Sequence, residues 1–114
     1  MRTTILLVAA ASALLASCVA SAPVVGQMQR SDETFTGSIT GSGYSGGSGE
    51  LTIVSSRKAQ CHGSFTYISR RRGDGVLNCS DGRTGPFHIA AAGASGSGYG
   101  DLDGTRFTFS IGAQ

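Results

Sequence analysis

The stretch GSGYGDLDGTRFTFSI, residues 96–111, sets glycine at every second position of its first half and a large apolar residue at every second position of its second half. Asp103-Gly104 between the halves is the dipeptide of a two-residue type I′ hairpin, whose two central residues both need positive φ. Folding the chain there places Gly100 opposite Phe107, Gly98 opposite Phe109 and Gly96 opposite Ile111. The glycines then read as core-facing strand positions that leave room for rings on the partner strand, not as a linker.

The same logic extends outward. Apolar residues or glycine alternate with polar ones at Phe35, Gly37, Ile39 and Gly41; at Gly49, Leu51 and Ile53; at Cys61, Gly63, Phe65 and Tyr67; at Gly75, Leu77 and Cys79; and at Phe87 and Ile89. That is the period-two signature of half-buried antiparallel strands. A hairpin centred on Ile68–Arg72 pairs Phe65 with Gly75 and Gly63 with Leu77. A loop centred on Gly82 pairs Leu77 with Phe87 and Gly75 with Ile89, and a hairpin near Ser45 pairs Ile39 with Leu51 and Gly37 with Ile53. All four turns keep one parity, which predicts a single all-β domain: a small antiparallel Gly-rich barrel or curved roll of about seven strands. The tetrapeptide GSGY occurs at residues 41–44 and 96–99, a faint sign of duplication, although a Gly/Ser linker explains the first copy equally well. A length of 114 residues with 18 glycines leaves no room for a second domain.

The N-terminus supplies a cellular address. Arg2 followed by an apolar run from Ile5 to Ala16 is an export signal, too short to span a membrane as a helix. Two cleavage sites compete: Ala20-Ser21-Ala22, which would leave Pro23 at the new terminus, and the quartet Leu15-Ala16-Ser17-Cys18. The quartet resembles the lipobox of bacterial lipoproteins. That resemblance, confined to the first 18 residues, implies that residues 1–17 are a lipoprotein signal peptide and that Cys18 carries a diacyl group and a palmitate-type N-acyl chain. It also implies that the membrane is a partner through this anchor, and that Val19, in place of an Asp, favours the outer over the inner membrane of the cell envelope. Residues 18–33, with Pro23 and no period, read as a lipidated flexible tether, and residues 34–114 as the β domain.

With Cys18 assigned to lipid, the three cysteines of the chain leave Cys61 and Cys79 as one pair in an oxidising compartment. The hairpin over Ile68–Arg72 sets these two directly opposite each other, within reach of a disulfide.

Catalytic and metal signatures are weak throughout. Cys61-His62 is not a zinc spacing, and alternation turns His62 and His88 outward, away from the cysteines, so no metal is assigned. No GxSxG elbow is present, and Asp101-Leu-Asp-Gly104 reads as a hairpin turn, not a calcium loop. Arg72-Gly73-Asp74 and Asn78-Cys79-Ser80 match short motifs that arise readily by chance. No cofactor is expected.

The one unusual surface feature is basic: Arg70-Arg71-Arg72 at a loop tip, with Arg83 in another loop and Arg57-Lys58 in a third. These form a candidate interaction patch for an envelope protein or an anionic glycan or lipid, against the plainer reading of a solvated loop that discourages edge pairing. A formal charge of +2 is too small for a nucleic-acid footprint. The preferred function is a membrane-anchored envelope lipoprotein whose β domain plays a non-catalytic structural or interaction role. The alternative is an inhibitor module acting on a lysozyme or protease through an inserted loop, and an enzyme comes third.

Overall fold

The computed structural model describes residues 20–41, 47–92 and 95–112. They form eight strands: β1 (Ala20–Met28), β2 (Thr34–Gly41), β3 (Ser48–Ser55), β4 (Gln60–Tyr67), β5 (Arg72–Cys79), β6 (Thr84–Ala92), β7 (Ser95–Leu102) and β8 (Thr105–Ile111). Each pairs antiparallel with its sequence neighbours, and β1 also pairs with β8, so the sheet closes into an up-and-down barrel. Closure leaves no edge strand open to intermolecular pairing.

The quoted stretch folds as its pattern requires. Gly100 stands opposite Phe107, Gly98 opposite Phe109 and Gly96 opposite Ile111. Asp103 and Gly104 adopt φ of 50° and 88°, as a type I′ turn demands. The β4–β5 hairpin keeps its expected register, and so does the β2–β3 hairpin, although residues 42–46 of its loop lie outside the described residues, with most of the first GSGY copy.

Two expectations need correction. The segment 20–28, assigned to the tether, is β1, and this accounts for eight strands where about seven were expected. Val24 and Met28 are buried, with Ala22 and Gly26 half-buried between them on the same face, so the period is present but muted by small residues. Pro23 reads as a breaker, yet it fits. Its carbonyl accepts from Gly112 N–H at 2.9 Å, so its missing donor faces the β8 side, just beyond the end of that ladder at Ile111.

The β5–β6 register is also two residues from expectation: Leu77 faces Gly85 and Gly75 faces Phe87. The connection is a three-residue loop, Ser80-Asp81-Gly82, closed by Cys79 N–H to Arg83 C=O at 2.9 Å and Gly82 N–H to Cys79 C=O at 3.0 Å. Gly82, at φ 94°, is the left-handed last residue of that loop and not its centre. Parity is unchanged, so the same side chains still face inward.

The interior is filled by its own side chains. Phe35, Phe65, Phe87, Phe107, Leu51, Ile53, Leu77 and Leu102 are fully buried. Ring centroids of Phe35 and Phe107 lie 5.9 Å apart, those of Phe65 and Phe87 6.1 Å, and those of Phe107 and Phe109 5.8 Å, within the range of favourable aromatic pairs. The rings occupy space that strand glycines vacate. A Cβ on Gly98 would stand 2.1 Å from Phe109 Cζ and 2.6 Å from the His88 carbonyl oxygen. Gly98→Val is therefore expected to overpack the wall and cost roughly 1–3 kcal/mol despite the better strand propensity of valine. Ser97→Val, on the exposed outer face, should be nearly neutral. Thermal melts check the pair, since each kcal/mol moves the midpoint of a domain this size by about 4–8 °C; equal midpoints would refute the glycine–ring packing.

Candidate functional site

An up-and-down barrel has two rims, and the strand order assigns every connection to one of them. The N-terminal rim carries the start of β1 and the β2–β3, β4–β5 and β6–β7 connections. The distal rim carries the turns 29–33, 56–59, 80–83 and 103–104. This placement divides the predicted basic patch. Arg70, Arg71 and Arg72 lie at the N-terminal rim, whereas Arg83 lies at the distal rim, together with Arg57 and Lys58. A strand-length separates residues that the sequence could only group by charge.

Arg83 is moreover engaged. Its Nη1 donates to Glu33 Oε1 at 2.9 Å, its Nη2 to Glu33 Oε2 at 2.7 Å, and its Nε to Asp81 Oδ2 at 2.9 Å. Ser55 Oγ donates to Glu33 Oε2 as well. Glu33 is 1% exposed, a charged group set beneath the distal rim with its lone pairs satisfied. The Arg83 hydrogen bonds hold its carboxyl below the usual range, and outweigh the opposing effect of burial; Ser55 adds to the lowering. Asp81 is likewise lowered by its hydrogen bonds from Arg83, and the guanidinium is raised further above its already high value by the two carboxylates. The cluster borders a depression of about 770 Å³ at the distal rim, where its charges are already paired with one another. Sequence reasoning missed it because Glu33 sits in a turn and 50 residues separate it from Arg83.

At the N-terminal rim the basic loop is ordered by its own backbone. Ile68 N–H donates to Arg72 C=O at 2.8 Å, and Ala91 N–H donates to Arg71 C=O at 2.7 Å, tying the loop to β6. Ser69 Oγ accepts from the N–H groups of Arg71 and Arg72 at 3.3 and 3.2 Å. The three arginines are exposed, and among the described residues none makes an ion pair. Ile68 beside them is 62% exposed.

Below this loop, the outer wall of β5–β8 and β1 carries a shallow depression of about 920 Å³. One register row crosses it: Asp74 opposite His88, and His88 opposite Tyr99. His88 Nδ1 is 2.7 Å from Asp74 Oδ1, the His88 and Tyr99 rings are 5.1 Å apart, and the Arg106 guanidinium lies 4.7 Å above the Tyr99 ring. Both His88 and His62 are on the outer face, as alternation predicts. The Asp74 carboxylate fixes the orientation of the His88 imidazole on this outer face. The row is a polar–aromatic ladder held by cross-strand pairs.

Cys61 and Cys79 are joined by a disulfide across directly opposed positions of β4 and β5. Among the described residues no group of three or more His, Cys, Asp or Glu side chains is placed to hold a metal ion. Cys18 and the segment 1–17 lie outside the described residues.

Neither a protein-family model nor a curated protein matches the chain. Among solved structures the chain is similar to a designed protein, described as a de novo fluorescence-activating β-barrel, with a TM-score of 0.60 at 14% identity over 82% of this chain and 91% of that one. The chain thus shares the architecture of a closed antiparallel β-barrel.

Proposed function

We propose that the chain is a membrane-anchored envelope lipoprotein whose barrel serves a non-catalytic structural or interaction role. The observation that carries this reading is cysteine bookkeeping: the Cys61–Cys79 disulfide accounts for two of three cysteines, and the third is the Cys of the LASC quartet behind a signal-type apolar run. A disulfide also fits an exported, oxidising destination. The filled interior supports a role for the outer surface over one for an internal ligand site. The outward residues of β4, Gln60, His62, Ser64 and Thr66, are polar, unlike the apolar band of a barrel embedded in lipid, which fits a barrel held beside the bilayer. An inhibitor would act through a protruding loop, and the described connections, residues 29–33, 56–59, 68–71, 80–83 and 103–104, are short turns.

Cys18→Ser is expected to abolish incorporation of labelled palmitate and to leave the unprocessed precursor, because acylation requires the thiol. Labelling undiminished in that variant would end the lipoprotein reading.

A further inference from the structure

We propose that the Ile68–Arg72 loop at the N-terminal rim is a docking surface for an anionic lipid bilayer, an inference that rests on Cys18 being the acylated anchor. The first support is geometric. With β1 beginning at Ala20, only Val19 lies between the anchor Cys18 and the barrel, and two steps of chain reach at most about 7 Å. An acyl group on Cys18 therefore holds the N-terminal rim at headgroup depth, and the β4–β5 loop belongs to that same rim.

The second support is the charge distribution. The distal rim is balanced: Arg30, Arg57, Lys58, Arg83 and Arg106 are matched by Asp32, Glu33, Asp81, Asp101 and Asp103. On the strands nearer the other rim, the carboxylates of Glu50 and Asp74 lie 3.2 Å from His62 and 2.7 Å from His88. Arg70, Arg71 and Arg72 outnumber these two carboxylates and make no ion pair among the described residues. A strand of eight residues tilted by about 40° spans roughly 20 Å along the barrel axis, beyond the Debye length of about 8–10 Å at physiological salt. A bilayer touching the N-terminal rim thus responds to the three arginines and not to the neutral far end. Guanidinium groups bind phosphate oxygens in a bidentate manner, and the exposed Ile68 side chain beside them can enter the interfacial layer.

The tethered geometry commits the loop to lipid phosphates over a soluble acidic partner. A surface that is covalently within reach is present at high effective concentration, whereas a free polyanion must be captured from solution.

The test uses the chain from residue 18 onward carrying Cys18→Ser, so that neither acylation nor the apolar run at 5–16 plays a part, and compares it with the same chain carrying also R70Q/R71Q/R72Q or also R30Q/R57Q/K58Q. Vesicles of phosphatidylcholine, with and without phosphatidylglycerol, are the probes, and co-sedimentation at low and high salt is the measurement. The parent chain is expected to bind the phosphatidylglycerol vesicles in a salt-sensitive way, and the loop variant to bind them on the order of 100-fold more weakly. The distal variant, which removes the same formal charge, should bind as the parent does. Equal binding by loop variant and parent overturns the proposal, as does equal loss in both variants, which would reduce the effect to net charge. Capture of the parent on heparin without capture on vesicles also overturns it, in favour of an acidic glycan. Because acylation is read separately by palmitate labelling, failure of the docking surface and failure of the anchor are distinguishable.

Discussion

Glu33→Ala is expected to destabilise the barrel by about 3–5 kcal/mol, the range found when one partner of a buried ion pair is removed and the other is stranded. Glu33 is 1% exposed and receives both Arg83 Nη groups together with Ser55 Oγ, so deletion of the carboxylate removes two acceptors from the guanidinium and the acceptor of the Ser55 hydroxyl beneath the rim. Arg83 keeps Asp81 and a 21% exposed side chain, which favours the lower part of the range. The pH dependence follows from the lowered Glu33 carboxyl. A group depressed in the folded state contributes stability that is fully present above its unfolded value of about 4.5 and is lost as pH falls through the folded value. Wild type should therefore lose stability through that acid window more steeply than Glu33→Gln, which carries no titrating group there. Urea unfolding of both proteins from neutral pH downward measures this. A Glu33→Ala cost below about 1 kcal/mol would mean that the pair behaves as a surface salt bridge. Replacing both partners with apolar residues, Glu33→Leu with Arg83→Met, should restore much of the loss, because no charge is then stranded.

The second large effect belongs to the disulfide. Cys61→Ala or Cys79→Ala is expected to cost about 2–5 kcal/mol, since loss of the cross-link frees a loop spanning 18 residues in the unfolded chain. A closed loop of about that length is worth about 3 kcal/mol in the chain-entropy model, a large share of the roughly 5–15 kcal/mol available to a small domain. The double variant should cost about the same as either single one, because each single change already breaks the bond, and non-additivity of that kind marks groups acting as a unit. Cys18→Ser should leave the unfolding midpoint of the barrel unchanged. Free thiols at both positions in protein purified without reductant would refute the pairing, and unchanged midpoints on reduction would refute its contribution to stability.

Alternation alone determined much about this chain. The inward set from Phe35 to Ile111, the pairing of glycine with aromatic residues across β7 and β8, the outward histidines and the Cys61–Cys79 opposition all follow from a side-chain period of two combined with a few turn positions. Register within a hairpin is local, so the Asp103-Gly104 turn determines its own pairs. Where the turn is tighter than its composition suggests, at Ser80-Asp81-Gly82, the pairs move by two residues and the faces do not, because an even shift preserves parity. Only the tertiary structure decided the rest. The β1 strand shows little hydrophobic contrast in its sequence. It is a strand because β2 and β8 each offer it a ladder, a condition met only once the other seven strands have curved around. Closure then sorted the charges. Alternating connections sent Arg70–Arg72 to one rim and Arg83 to the other, and brought Arg83 to Glu33 from 50 residues away. Composition counts positive residues, but which of them meets a carboxylate and which is left facing outward depends on which ends of the strands come together in space.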